Sequence, residues 1–157
     1  MKKILFTAAF LFGFSLVSQA QNEGFHLGGH VGLPLSDASD FSSVNVGADA
    51  NYLFGISDNF ALGVATGYSA FLGKDDFDTY SFIPVAVSAR ANYSDSIFYA
   101  ADVGYAVALD SDTDGGLYYQ GKLGWTNSTL DIFAFYKGIS ADSSNISSVG
   151  LGVAVKL

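Results

Sequence analysis

The chain ends "SSVGLGVAVKL", residues 147–157, and the reading of this stretch decides the fold. Val149, Leu151, Val153, Val155 and Leu157 occupy every second position, with Gly150, Gly152, Ala154 and Lys156 between them. In an extended chain successive side chains point to opposite faces, so this spacing puts the apolar residues on one side and small residues with one cation on the other. The expectation is a strand with one greasy face.

Working back from the C-terminus, the same period of two recurs and the helix period is missing. "GFHLGGHVGL" sets Phe25, Leu27, Val31 and Leu33 against His26, Gly28, His30 and Gly32. "VNVGADANYLF" sets Val44, Val46, Ala48, Ala50, Tyr52 and Phe54 against Asn45, Gly47, Asp49 and Asn51. Segments near residues 60–72, 83–93, 97–109 and 117–125 repeat it. In "LDIFAFYKG" Phe133 and Phe135 share parity with Asp131 and Lys137; Leu130, Ile132, Ala134 and Tyr136 are taken as its outer face. Eight segments result, each able to supply the roughly 9–11 residues of a tilted membrane-crossing strand. Short turns at "GISDN", "YSDS" and "TNST" alternate with longer polar loops at "PLSDASDFSS", "GKDDFDTYS", "DSDTDGG" and "ISADSSNIS". Short turns on one rim and long loops on the other mark a transmembrane up-and-down barrel.

A soluble barrel also alternates, so the choice rests on which face meets solvent. A water-facing exterior needs many charges, yet the less apolar face carries mostly Gly, Ala, Asn and Ser. Glu occurs once, at Glu23, and nearly all other acids lie in loops. Half of the chain is hydrophobic. Aromatics fall into two groups. Tyr52, Phe54, Phe60, Tyr93, Tyr99 and Trp125 flank the short turns, and Tyr68, Tyr105, Tyr119 and Tyr136 lie toward the long loops. Two such belts would frame an apolar band about 25 Å tall.

The N-terminus agrees with export. Lys2 and Lys3 precede an apolar run from Ile4 to Val17, and Ser18-Gln19-Ala20 places small residues where a signal peptidase reads. A retained anchor would need about 20 apolar residues. The domain reading is a signal peptide over 1–20 and a barrel domain over 21–157. Five basic residues then face 15 acidic ones, a balance of −10, which repels nucleic acid. Cysteine is absent, so stability comes without disulfides.

With this alternation and the terminal "VGLGVAVKL", residues 24–157 resemble the small eight-stranded outer-membrane barrels of the OmpX and OmpA-barrel type. The resemblance implies a location in the outer membrane of a Gram-negative cell, contact with its lipid, and recognition of the last strand by the barrel assembly machinery. It also implies a salt-bridged interior. Leu157 departs from the commoner terminal Phe.

In this register the lumen receives His26, His30, Asn45, Asp49, Asn51, Arg90, Asn92, Asp102, Gln120, Lys122, Asp131 and Lys137. Enclosed charges are costly unless paired, so Arg90 and Lys122 are expected to form an ion-pair network with Asp49, Asp102 and Asp131. Three other chemistries compete. Lipid A deacylases and palmitoyltransferases are also eight-stranded barrels, but they need a His near the loop-side rim. Here His26 and His30 share the first strand, and no leading amphipathic helix is present; the reading is a non-enzyme without a cofactor. A His26/His30 metal site would need a third ligand such as Asp49. Asp110, Asp112 and Asp114 open like a calcium loop, with Asp75, Asp76 and Asp78 nearby. The twelfth position, which should be acidic, is Gly121, so the stretch reads as a turn-rich hairpin tip. Pro84 marks either a strand start or a lateral opening.

The functional expectation is a monomeric barrel with a plugged lumen and acidic outer loops, structural or surface-interactive in the envelope, whose loop ligand the sequence does not name. A narrow passive channel is the alternative.

Overall fold

The computed structural model describes residues 23–157 apart from residues 75, 77, 112 and 143. The stretch read as a signal peptide lies outside the described residues. Eight strands follow in order: β1 (Gly24–Ser36), β2 (Ser42–Ser57), β3 (Phe60–Gly73), β4 (Tyr80–Asn92), β5 (Ile97–Ala108), β6 (Gly116–Thr126), β7 (Leu130–Ser140) and β8 (Asn145–Lys156). One helical turn, α1 (Ala38–Phe41), lies between β1 and β2. Each strand pairs antiparallel with its sequence neighbours, and β8 returns to β1 over His26↔Lys156 to Ser36↔Ile146, closing the barrel. Strands of 11 to 16 residues meet or exceed the length a tilted crossing needs.

The faces divide as the alternation requires. Val87 is 67% exposed, Leu151 64% and Leu123 61%, all pointing away from the axis. A solvent-exposed wall of Val, Leu, Ile and Tyr has no stable contact with water, and is the wall of a barrel seated in lipid. Tyr93, Tyr99 and Trp125 stand outward toward the short turns, and Tyr68, Tyr105, Tyr119 and Tyr136 toward the long loops. On β7, Phe133 and Phe135 are buried with Asp131 and Lys137, which leaves Ile132 and Tyr136 outside.

The interior is narrow, and glycine makes room for its fillers. A Cβ on Gly47 would collide with the His30 ring and the Tyr68 carbonyl, and one on Gly152 with the Phe133 ring. These glycines of β2 and β8 are seats for rings from other strands. Eight strands leave space for side chains only, so a large inward ring lies over the bare backbone of its paired neighbour on the next strand, as in His30↔Gly47 and Phe133↔Gly152.

Two features depart from the sequence reading. The stretch 34–43 reads in the sequence as a longer polar loop. Instead β1 runs to Ser36, where a φ of 54° reverses the chain, and Ala38–Phe41 coil into α1. The cause is apolar: Ala38 is fully buried in the barrel mouth, and Phe41 meets Tyr80 edge-on at 5.2 Å. Pro84 is no strand start, because it sits well inside β4, opposite Ala106 of β5. Toward β3 the ladder skips from Thr66↔Val85 to Ser69↔Phe82 and resumes in the same register. The Thr66 hydroxyl donates to the Pro84 carbonyl at 2.8 Å.

The lipid-facing wall makes one prediction. Val87→Arg should lower the unfolding free energy of the barrel in lipid vesicles by about 2–4 kcal/mol, whereas Val87→Leu should be near neutral. Urea titration followed by Trp125 fluorescence measures both.

Candidate functional site

The lumen holds the chemistry-bearing side chains, in three groups stacked from the short-turn end upward. Asp131, 2% exposed, starts the lowest. Arg90 crosses from β4 and grips it with both arms, Nη1 to Oδ2 at 2.6 Å and Nη2 to Oδ1 at 3.1 Å. The Thr126 hydroxyl donates to Oδ1 at 2.6 Å, His26 Nδ1 lies 3.0 Å from Oδ2, and Lys156 Nζ lies 3.5 Å from Oδ1. The guanidinium stacks on Phe98, 3.8 Å from the ring centroid. A forked donor matched to a planar carboxylate, with a π-face beneath, is an arrangement that Lys could not replace.

The middle group joins neighbouring strands. Lys122 Nζ meets Asp102 Oδ2 at 2.8 Å, and the Ser88 hydroxyl donates to Oδ1 at 2.5 Å. In the upper group His30 Nδ1 donates to Asp49 Oδ2 at 2.6 Å, and Lys137 Nζ donates to His30 Nε2 at 2.5 Å. The imidazole thus relays between an ammonium and a carboxylate. Lys137, 1% exposed, also reaches Ser69, which accepts from the Asn45 amide. Asn45 in turn accepts from the Ser148 hydroxyl.

Above these groups the lumen is apolar. Ala38, Phe71, Phe82, Tyr118, Ile139 and Ile146 pack into one apolar cluster at the long-loop ends of their strands. Phe71 and Phe82 meet edge to face at 6.1 Å.

The five residues expected to form one network are therefore distributed over three groups. Arg90 and Asp131 meet, and so do Lys122 and Asp102, while Asp49 takes His30 as its partner. Sequence reasoning did not single out Lys156, Thr126, Ser88 or the apolar cluster. Parity carried a signal for each: Phe82 shares the face of Ser88 and Arg90, and Tyr118 that of Gln120 and Lys122. Both His30 nitrogens are engaged, so His26, His30 and Asp49 do not form a ligand set. Among the described residues no group of three or more His, Asp or Glu is placed to hold a metal. In the acidic loop, Asp110 Oδ2 accepts from the Ser81 N–H at 2.8 Å, and its carbonyl accepts from Thr113. Asp114 is exposed, and Asp112 and Asp75 lie outside the described residues.

No family model matches the chain, and no curated protein matches it. Solved structures do. Ail, the attachment invasion locus protein of Yersinia pestis, is 10% identical over 85% of this chain and 96% of its own, with a TM-score of 0.61. The fold is that of the small eight-stranded outer-membrane barrels. A de novo designed transmembrane β-barrel superposes with a TM-score of 0.55 at 15% identity, over 88% of this chain and 99% of its own. The N-terminal barrel domain of Pseudomonas aeruginosa OprF gives 0.52 at 13% identity, over 87% and 99%. At such identities the likeness shows the architecture alone.

Arg90→Met should cost about 3–5 kcal/mol of unfolding free energy, since Asp131 keeps its buried charge without its forked partner. Arg90→Met with Asp131→Leu should recover most of that loss, as denaturant midpoints of the reconstituted barrels will show. Because Asp110 is committed to Ser81, calcium titrated into the folded barrel should give no saturable heat by calorimetry.

Proposed function

We propose that this protein is a closed, monomeric barrel of a Gram-negative outer membrane, exported by its N-terminal segment, with a structural and surface-interactive role. It acts as neither a pore nor an enzyme. The observation that carries this reading is the double seal of the lumen, paired ions toward the short turns and an apolar cluster toward the long loops. An ion entering from the loop side would have to shed its water against Phe71, Phe82 and Ile146, a cost that nothing in the cluster offsets. The likeness to Ail and OprF supports the membrane location. The terminal strand, ending Val155-Lys156-Leu157, suits recognition by an assembly machinery.

The loop side carries the interaction. Between the strands there, nine aspartates stand against one basic residue, Lys74. Ties such as Asn145 N–H to Asp37 Oδ2 at 3.2 Å and Lys74 Nζ to the Ser39 carbonyl at 2.7 Å hold part of this rim. Such a field draws cationic partners and repels polyanions. Ail has been solved with the heparin analogue sucrose octasulfate; a highly sulfated ligand of that kind would be repelled here.

In planar bilayers the purified barrel should give no conductance steps, and in electrophoresis it should migrate faster unheated than boiled. Discrete steps from the folded form would overturn the reading in favour of a narrow channel, and altered lipid A in a deletion strain in favour of an enzyme.

A further inference from the structure

Between the Asp131 group and the Lys122–Asp102 pair the lumen holds a small cavity, in which polar side chains meet the apolar surface of Leu53, Phe98 and Phe133. It leaves about 20 Å³ for the centre of a water-sized sphere, and its lining includes His26, Asp49, Asn51, Arg90 and Lys122. One molecule of water needs roughly 10–15 Å³ of such space and two to four polar partners. No sugar, lipid or peptide side chain enters a volume so small.

His26 gives the cavity its chemistry. The residue is 4% exposed, and its Nδ1 is occupied by Asp131 at 3.0 Å. Asp131 already receives Arg90 and Thr126, and an ionised carboxylate only accepts, so Nδ1 carries the imidazole proton. That leaves Nε2 as a lone-pair acceptor, fully buried and with no protein donor among the described residues. An unmatched acceptor at such a depth is costly, and its natural donor is a water molecule.

We propose that this cavity is an internal hydration site, holding one ordered water that donates a hydrogen bond to His26 Nε2. Lys122, in ion-pair contact with Asp102, carries three N–H donors, and one of them can be accepted by the water oxygen. The water then links the Asp131 group to the Lys122–Asp102 group, and the two lower groups of the lumen become one connected network. The site rests on the lumen being closed, but its test reads water and tautomer instead of conductance, so the two readings fail separately.

The test uses the folded mature barrel. A crystal structure fine enough to resolve waters should show one peak about 3 Å from His26 Nε2. Nitrogen-15 spectra of the histidines should show a protonated Nδ1 and an unprotonated Nε2 at His26. In His26→Phe the peak should vanish while the Arg90–Asp131 fork remains. A featureless cavity in the parent protein, or a proton on His26 Nε2 in place of Nδ1, overturns the proposal. Should His26→Phe fail to fold, the parent density and spectra decide alone.

Discussion

The whole molecule depends on one set of hydrogen bonds, those between β1 and β8. Within hydrocarbon no water is at hand for a bare N–H or C=O, and each unsatisfied group costs several kcal/mol. An open sheet of eight strands would present two such edges to lipid. Pairing His26 through Ser36 with Lys156 through Ile146 removes both. Once that seam forms, every strand side chain has one of two destinations, the lipid or the lumen, and the parity of its position decides which.

The lumen then becomes a packing problem in a tube too narrow for a column of water. This chain fills it in two ways. Toward the short turns the fillers are ions, and they alternate with rings: Arg90 lies on Phe98, Lys137 lies 4.8 Å from the Phe135 centroid, and His30 meets Phe135 edge-on. Arg90, Lys122 and Lys137 each gain a carboxylate, directly or through an imidazole, together with a π-face, which offsets the loss of hydration. Toward the long loops the fillers are apolar and α1 joins them, with Ala38 pressed into the mouth. The boundary between the two runs near Ser69, Asn45 and Ser148, whose mutual hydrogen bonds end the polar column.

The likeness to Ail, to the OprF domain and to a designed barrel has the same origin. What these chains share at 10–15% identity is a backbone solution to the bilayer. Alternation and closure can be met by many sequences, so the exterior says little about role. Individuality resides in the lumen fillers and in the charge of the loops. Here those are an Arg90–Asp131 fork, an Asp49–His30–Lys137 relay and a strongly acidic rim.

The strand count, the facing of each strand and the inward ions other than Lys156 could be read along the chain, because a period of two is a local property of consecutive residues. Even β7, where Phe133 and Phe135 share parity with ions, followed that rule. Partner choice was a different matter. Asp102 and Lys122 belong to adjacent strands, as do Asp49 and His30, but Arg90 and Asp131 come from β4 and β7 and meet only because the sheet closes. The helical turn at Ala38–Phe41 was likewise invisible, since four residues are too few to carry a helix period and coil here because Ala38 and Phe41 find an apolar mouth to pack against. Sequence alone determined which side chains enter the tube. Curvature and register, set by the whole ring of strands at once, decided which of them touch.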